Sequence, residues 1–327
     1  MSTKKAIVTG IFGQDGSYFL ELLSEKGYEV HGIEKKELSN NSSKIQSYLK
    51  AKSLNPIMHD CDLMTYKNVR EIVESVKPHE IYHLAAIHYS SQQTNNIKES
   101  ELYVSNLLST LNLLEAVKEV SADAKVIIAG SCLMYDASAI TPQNENTPLE
   151  SHSLYGLAKI AENGLIKYFR QRGMHASMAI LYNHESPRRD DSYVTRKIVK
   201  NMVLISKKEI NSFELGDLDV NKDWGYAKDY VKGMWLMAQN NQPGDYIIAT
   251  GKTHKVREFI DYTAKCLGIK EWQKYIKVNP QVISRRVKVD LVGDATLAYN
   301  RLNWRPTLDF TGLIELMTRN ELSNTLD

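Results

Sequence analysis

An α/β fold organised on a doubly wound parallel sheet is predicted by three features of this sequence. Short apolar runs alternate with longer segments of helical period from Lys5 to Leu181. The first run, Ala6-Ile-Val-Thr9, empties into Gly10-Ile-Phe-Gly13-Gln-Asp-Gly16, three glycines at intervals of three. The second, Glu29-Val-His-Gly-Ile-Glu34, ends on a carboxylate about twenty residues beyond them. Such alternation builds a parallel sheet with helices on both faces, and sheets of this kind hold ligands beyond the carboxyl ends of their strands.

In order, the expected elements begin with strand Lys5–Thr9, a helix over Asp15–Lys26 that starts where the glycine turn ends, and strand Glu29–Glu34. Strand Pro56–Asp60, helix Tyr66–Val76, strand Glu80–Leu84, helix Ile97–Val120, strand Lys125–Ala129, helix Leu154–Arg172 and strand His175–Leu181 follow. Helix Ile97–Val120 carries Leu102, Val104, Leu107, Leu108, Leu111, Leu113, Leu114 and Val117, a stripe too wide for one face of a surface helix. It must be covered by the sheet and by something else. A second copy of the chain is a candidate, and a homodimer or homotetramer is expected.

After Leu181 the alternation breaks. Asn183-His-Glu-Ser-Pro-Arg-Arg189 leads to a helix near Val194–Lys207, then Asn221-Lys-Asp-Trp-Gly-Tyr-Ala-Lys-Asp-Tyr-Val231, a strand at Tyr246–Ala249 and helix Val256–Leu267. The tail runs from Arg285-Arg-Val-Lys-Val-Asp290 to Trp304-Arg-Pro306 and a helix near Thr311–Arg319. Two interleaved domains are expected: a dinucleotide-binding Rossmann-type domain over 1–182 and 226–252, and a smaller α/β substrate-binding domain over 183–225 and 253–327.

With 327 residues and 43% hydrophobic content the chain can bury a large core. A net charge of +2, from 41 basic and 39 acidic residues, gives no electrostatic reason for a nucleic-acid or anionic-membrane partner. No run approaches the length of a membrane span and no apolar leader follows Met1. Cys61, Cys132 and Cys266 are too dispersed for a disulfide framework or a zinc site. A small-molecule partner, no metal and a cytoplasmic location are the expectation.

Glycine after a strand lets the backbone turn sharply and approach a pyrophosphate, and the helix beginning there aims free N–H groups and its positive dipole end at the same charge. Gly10, Gly13, Gln14, Asp15 and Gly16 are therefore the expected cradle of a dinucleotide, with Glu34 accepting from the adenosine ribose hydroxyls. Later strand ends supply Asp62-Leu63 and Leu84-Ala85-Ala86. Asp62 is either an acceptor for an adenine amino group or a helix cap. Ala85 and Ala86 either admit a flat cofactor or pack a helix.

Tyr155 and Lys159 stand at i and i+4, which puts a phenol and an ammonium on one helix face. A nearby ammonium and an oxidised nicotinamide both favour the phenolate, making Tyr155 the expected base near neutral pH. Ser131, at the end of the preceding strand, completes a group able to grip a substrate hydroxyl or ketone.

Together, Thr9-Gly-x-x-Gly-x-x-Gly16, Ser131 and Tyr155-x-x-x-Lys159 resemble the extended short-chain dehydrogenase/reductases that act on nucleotide-activated sugars. Within them the chain is most similar to the GDP-mannose 4,6-dehydratase family. Gly13-Gln-Asp-Gly-Ser-Tyr18, Glu29-Val-His-Gly-Ile33, Asn183 to Arg189, Val194-Thr-Arg-Lys197, Asp223-Trp-Gly-x-Ala-Lys-Asp-Tyr-Val231 and Ile248-Ala-Thr-Gly251 carry the likeness over nearly the whole chain. The resemblance implies that Asn183, Arg189, Val194, Lys197, Lys222 and Arg285 enclose a GDP-sugar, with arginine forks matched to its diphosphate. Arg188 and Arg286 are left as solvated surface charges. His88 and Gln92 fall where a substrate loop is expected, and His88, a lone histidine in a loop, is read as solvated.

The sequence departs from that family twice. Where the dehydratases carry Ser-Thr-Ser-Glu-Leu-Tyr-Gly, this chain reads Gly130-Ser-Cys-Leu-Met-Tyr-Asp136, so Ser131 replaces the threonine and Leu133 the glutamate that acts as acid and base in elimination. Removing the C5 hydrogen and expelling the C6 hydroxyl need such a group. Oxidation or reduction at C4 asks only for Ser131, Tyr155, Lys159 and the cofactor. Secondly, those dehydratases carry arginines after the second strand and bind NADP, whereas Glu34 stands where NAD-using sugar epimerases place an aspartate. A carboxylate there repels a 2′-phosphate while Lys35 and Lys36 pull the other way, so NAD is preferred with NADP as the alternative.

The expected activity is an NAD(P)-dependent oxidoreductase at C4 of a GDP-sugar, working as a dehydrogenase or a 4-keto reductase in activated-sugar or polysaccharide biosynthesis. The alternatives are a 4,6-dehydratase in which Asp136 or Glu145 replaces the missing group, a nucleotide-sugar epimerase, and a binding protein without turnover. Retention of both Tyr155 and Lys159 argues against the last.

Overall fold

A computed structural model of the chain describes residues 3–34, 37–88, 98–279 and 290–327. Its strands are β1 (Lys5–Thr9), β2 (Glu29–Glu34), β3 (Ile57–Asp60), β4 (Glu80–His83), β5 (Lys125–Ala129), β6 (Ala176–Leu181), β7 (Asn183–Glu185), β8 (Phe213–Leu215), β9 (Asn221–Tyr226), β10 (Tyr246–Ile248), β11 (Thr253–Lys255) and β12 (Ile276–Val278). The helices are α1 (Gln14–Glu25), α2 (Asn40–Ala51), α3 (Tyr66–Val76), α4 (Glu99–Val120), α5 (Leu154–Arg170), α6 (Val194–Ser206), α7 (Ala227–Gln239), α8 (Val256–Cys266), α9 (Thr296–Leu302) and α10 (Phe310–Ser323).

Seven strands form one sheet in the order β10-β6-β5-β4-β1-β2-β3, with every neighbouring pair parallel. This is the doubly wound Rossmann-type sheet the sequence predicts. The order reverses between β1 and β4, which opens a crevice at their carboxyl ends. Ala6, Ile7 and Val8 of β1 are wholly buried, as befits a central strand covered on both faces. On α3, Val69, Val73 and Val76 fall on one face and are the buried residues of that helix.

The remaining strands make a three-stranded sheet, β11-β9-β7, and the pair β12-β8. Buried side chains fall into two clusters. The larger fills both faces of the main sheet and takes in Leu291, Ala295, Ala298, Leu302 and Trp304 near the end of the chain. The smaller gathers α6, α8 and α10 around Trp224, Phe259 and Ile314.

Asp223 of β9 joins these parts. Its buried carboxylate accepts from the Thr250 N–H and hydroxyl and from the Gly251 and Gly293 N–H groups, at 2.5 to 3.3 Å. Burial raises its pKa, opposed by the Thr250 hydroxyl and those backbone donors. Gln143 stitches the same region, its Oε1 accepting from the Tyr182 hydroxyl and from Val292 N–H.

Several features differ from the sequence expectation, among them α9, β8 and β12, which lie where it assigns no element. Helix α2 opens on Asn40-Asn-Ser-Ser43, which carries no apolar period; Ser39 caps it, accepting from Ser42 N–H, and Ile45 and Leu49 are its buried residues. Helix α7, which buries Tyr230, Val231, Met234 and Met237, was likewise not assigned. Arg188 is not a solvated charge. Its side chain is 1% exposed, paired with Glu21, donating to Ser17 Oγ and the Leu326 carbonyl, and lying 3.9 Å from the Tyr18 ring centroid.

Helix α4 packs on α3 and α5 and buries Leu113, Leu114 and Val117, while Val104 is 48% exposed. The residue at which that helix was expected to begin, Ile97, lies outside the described residues, as do Lys35, Lys36, Gln92, Arg285 and Arg286. Among the described residues no helix is long and apolar enough to cross a membrane. Among them, no group of three or more His, Cys, Asp or Glu side chains is placed to hold a metal ion.

Candidate active site

The crevice begins at the glycine turn. Gly10 takes φ +70°, a left-handed conformation open to glycine, and its N–H reaches the Ile33 carbonyl at 2.8 Å. A Cβ on Gly16 would lie 2.1 Å from the Gly10 carbonyl oxygen, so the loop and helix touch only because that residue is glycine. Helix α1 starts at Gln14 after Gly13 with no side-chain cap, which leaves its first N–H groups facing the crevice. The Thr9 hydroxyl accepts from the N–H groups of both Leu84 and Ala85 at 3.0 Å and fixes the end of β4 against β1.

A dinucleotide fits this arrangement: an uncapped helix N-terminus, a glycine cradle that any side chain would fill, and a carboxylate at the end of β2. Glu34 Oε2 accepts from the Phe12 N–H at 3.0 Å, which holds the carboxylate beside the glycine turn. Ala85 is half-buried and Ala86 exposed. Asp62 turns its carboxylate to the Met64 N–H at 2.9 Å, a turn ahead of α3 that leaves the N-cap position to Thr65, and the Leu63 carbonyl accepts from Asn112. The side chains of Gln14 and Asp15 point elsewhere. Gln14 bonds the His184 carbonyl at 3.1 Å and accepts from the Ser186 hydroxyl at 2.8 Å, and Asp15 Oδ2 meets His184 Nε2 at 2.9 Å. Burial alone would raise the Asp15 pKa, but His184 and Arg189 hold it below the usual carboxylate range; the pKa of His184 is raised in turn by Asp15 against its own burial.

Ser131 ends β5 and caps a short 3-10 turn, its Oγ accepting from Leu133 N–H at 3.2 Å. Leu133 is partly buried against the larger core. Tyr155 and Lys159 lie on α5, with the Lys159 ammonium 5.7 Å from the Tyr155 ring centroid. That ammonium is bound to Glu162 at 3.0 Å, and both side chains are sealed from water. The Lys159 ammonium thus shares its charge with a carboxylate three residues on. Burial drives the phenol's pKa strongly upward and the negative charge of Glu162 adds to it, opposed by the Arg189 guanidinium.

Of the residues expected around a substrate, Asn183 pairs with Trp224 across β7 and β9 and donates to the Asp223 carbonyl. Arg189 lies 3.5 Å from the Tyr193 ring centroid and 3.4 Å from Glu185. Val194 opens α6 with Lys197 one turn on. Lys222 sits near the Ser131 segment: burial pushes the Cys132 thiol up to about 12, and the Lys222 charge is the first influence opposing it. The structure thus gathers Ser131, Tyr155, Lys159, Arg189 and Lys222 at one end of the sheet.

A family model described as GDP-mannose 4,6 dehydratase matches residues 7–317. The chain belongs to the GDP-mannose 4,6-dehydratase family. It is 37% identical to the GDP-mannose 4,6 dehydratase of Drosophila melanogaster over 98% of this chain and 88% of the relative. It is 38% identical to the Homo sapiens protein of the same name over 95% and 90%. Among solved structures, a dTDP-glucose 4,6-dehydratase from Bacillus anthracis in complex with NAD superposes with a TM-score of 0.83 at 17% identity, covering 98% of this chain and 97% of that one. A Thermus thermophilus UDP-glucose 4-epimerase complex with NAD gives 0.81 at 20% identity over 97% and 98%. These two likenesses speak for the fold.

Sequence reasoning undervalued two side chains of this member of the dehydratase family. His88, read as solvated, lies edge-on to Tyr155 with ring centroids 4.4 Å apart, and its Nδ1 is 3.0 Å from the Tyr193 hydroxyl. Tyr193 was not singled out. The one available signal was its place between Arg189 and Val194, both already expected at the site.

Proposed function

We propose that the chain is an NAD(P)-dependent enzyme acting on a GDP-linked sugar, and that its overall reaction is 4,6-dehydration rather than C4 oxidoreduction alone. The observation that carries this reading is the family match, which spans residues 7–317 and includes the segments bearing Ser131, Tyr155 and Lys159. Gly10, Gly13, Gly16 and the start of α1 would hold the dinucleotide's pyrophosphate. Glu34 would receive its adenosine ribose and favours NAD over NADP. When bound, the dinucleotide supplies a hydride acceptor and donor.

The chain's own residues do the rest. Tyr155 takes the proton of the sugar's C4 hydroxyl, and Ser131 holds that oxygen in place. Arg189 and Lys222 offer positive charge to the diphosphate, with Asn183, Val194, Lys197 and Arg285 enclosing the nucleotide. The half-covered start of α4, with Val104 and the nearby α5 residue Leu157 at 48% and 43% exposure, is the face on which a second copy would sit. Sedimentation that finds only monomer removes that part.

The second reading, a C4 oxidoreductase, is favoured by Leu133, an aliphatic side chain where the resemblance places a proton-transferring carboxylate. Incubation with GDP-mannose and either NAD or NADP, followed by mass spectrometry, separates the two. Dehydration gives a 4-keto product lighter by one water. A 4-keto sugar that keeps its C6 hydroxyl establishes the second reading and overturns the first.

A further inference from the structure

We propose that His88, in concert with Tyr193, is the acid and base at C5 and C6 of the sugar, the part that Leu133 leaves unfilled. This deepens the dehydratase reading above and rests on it.

Placement comes first. His88 follows β4 at the carboxyl end of the sheet, and its ring meets the edge of Tyr155 at 4.4 Å between centroids. With Tyr155 at the C4 oxygen, a group flanking that phenol stands beside the next carbons of the ring. The imidazole is held there by its Nδ1 contact of 3.0 Å with the Tyr193 hydroxyl, and Tyr193 is in turn covered by the Arg189 guanidinium at 3.5 Å.

The carboxylates that might serve instead are engaged. Asp136 accepts from His152 N–H at 2.6 Å, and Glu145 accepts from Ile247 N–H at 2.8 Å, at the far edge of the sheet. Glu162 is bound to Lys159 and Thr110. Glu185 is bound to Arg189 and Thr195.

The chemistry suits an imidazole in this setting. The charged and titratable groups facing His88 are Arg189, Lys159, Tyr155 and Tyr193. Burial and then the two cations bring its pKa down to about 4, so the ring is neutral at physiological pH. A proton affinity in that range is the one an ordinary glutamate has, roughly 4.3.

On a sugar bearing a C4 ketone, His88 removes the C5 proton. The C–H electron pair becomes the C5–C6 double bond, the C6–O bond breaks, and the departing hydroxyl takes the proton back from His88. One water leaves, and the imidazole returns to its neutral form. For Nε2 to take that proton, Nδ1 carries the ring's N–H and donates it to the Tyr193 hydroxyl oxygen, which steadies the transient imidazolium.

The test uses a GDP-4-keto-6-deoxyhexose in deuterium oxide with the holoprotein, read by NMR at C5. A base at that carbon exchanges the C5 hydrogen without redox turnover. The wild-type protein should exchange it, and His88→Gln should slow exchange at least about a hundredfold. His88→Ala should regain part of the rate with added imidazole, and Tyr193→Phe should show a smaller loss. A wild-type protein that does not exchange, a His88→Gln protein that exchanges at the full rate, or a His88→Ala protein that binds dinucleotide yet gains nothing from imidazole each overturn the assignment. Exchange at C5 that depends on His88, without dehydration of GDP-mannose, upholds His88 and removes the dehydratase reading.

Discussion

Lys159 and Glu162 form an ion pair on α5, Nζ to Oε2 at 3.0 Å, with side-chain exposures of 3% and 0%. Among the described residues, the second oxygen of Glu162 has no hydrogen-bond partner. The pair lies beside Tyr155, and Glu162 is the first of the charges that act on the phenol. Glu162→Gln removes a negative charge that raises the Tyr155 pKa, so the rising limb of the pH–rate profile should move to lower pH. The same change leaves Lys159 buried without its counter-charge, at a cost of about 3–5 kcal/mol in stability. A limb that does not move would show that Glu162 exerts no control over Tyr155.

Tyr155→Phe tests the phenol itself. The ring and its packing against His88 remain while the hydroxyl is lost. Turnover should fall by roughly a hundredfold to ten-thousandfold, with dinucleotide affinity, measured by fluorescence titration, nearly unchanged. A fully active Phe variant would place the base elsewhere.

Gly16→Ala addresses the cradle. The new methyl would meet the Gly10 carbonyl at 2.1 Å and Ile11 Cα at 2.7 Å, backbone atoms that cannot rotate away. A loss of about 3 kcal/mol is expected, together with weakened dinucleotide binding. Thermal melting with and without NAD reads both effects.

Arg188→Met tests a buried cation outside the reacting groups. It leaves Glu21, 11% exposed, without its partner. Denaturant unfolding should show about 3–5 kcal/mol less stability, and Arg188→Met combined with Glu21→Leu should recover most of it.

The His184 and Asp15 pair predicts a pH window. The folded pKa of His184 is raised, so its contribution is complete below the ordinary 6.5 and fades as pH rises through the higher folded value. The folded pKa of Asp15 is lowered, so its share is complete above the ordinary 3.8 and is lost as acid takes pH through the lower folded value. Stability should be greatest between those limits. In His184→Asn the decline on the alkaline side should flatten, as followed by melting temperature against pH.

Much of the fold was legible because the strands that matter are continuous apolar runs with a turn at each end. β1, β2, α3 and β5 fall where periodicity put them. Helix α2 was hidden because Ser and Asn serve caps and loops alike, and only Ile45 and Leu49 mark its inner face. The site was legible where chemistry is written at short spacing, as in Tyr155 and Lys159. It was obscure where partners are distant in the chain. Arg188 meets Glu21, and His88 meets Tyr155 and Tyr193, only after folding, and no local pattern announces those meetings.

The Asp223 carboxylate has a mechanical implication. Because one side chain grips Thr250, Gly251 and Gly293 at once, β9, the segment after β10 and the segment before α9 are riveted at a single point. Asp223→Asn should accordingly loosen three stretches of chain together, read as faster amide hydrogen exchange at Thr250, Gly251 and Gly293.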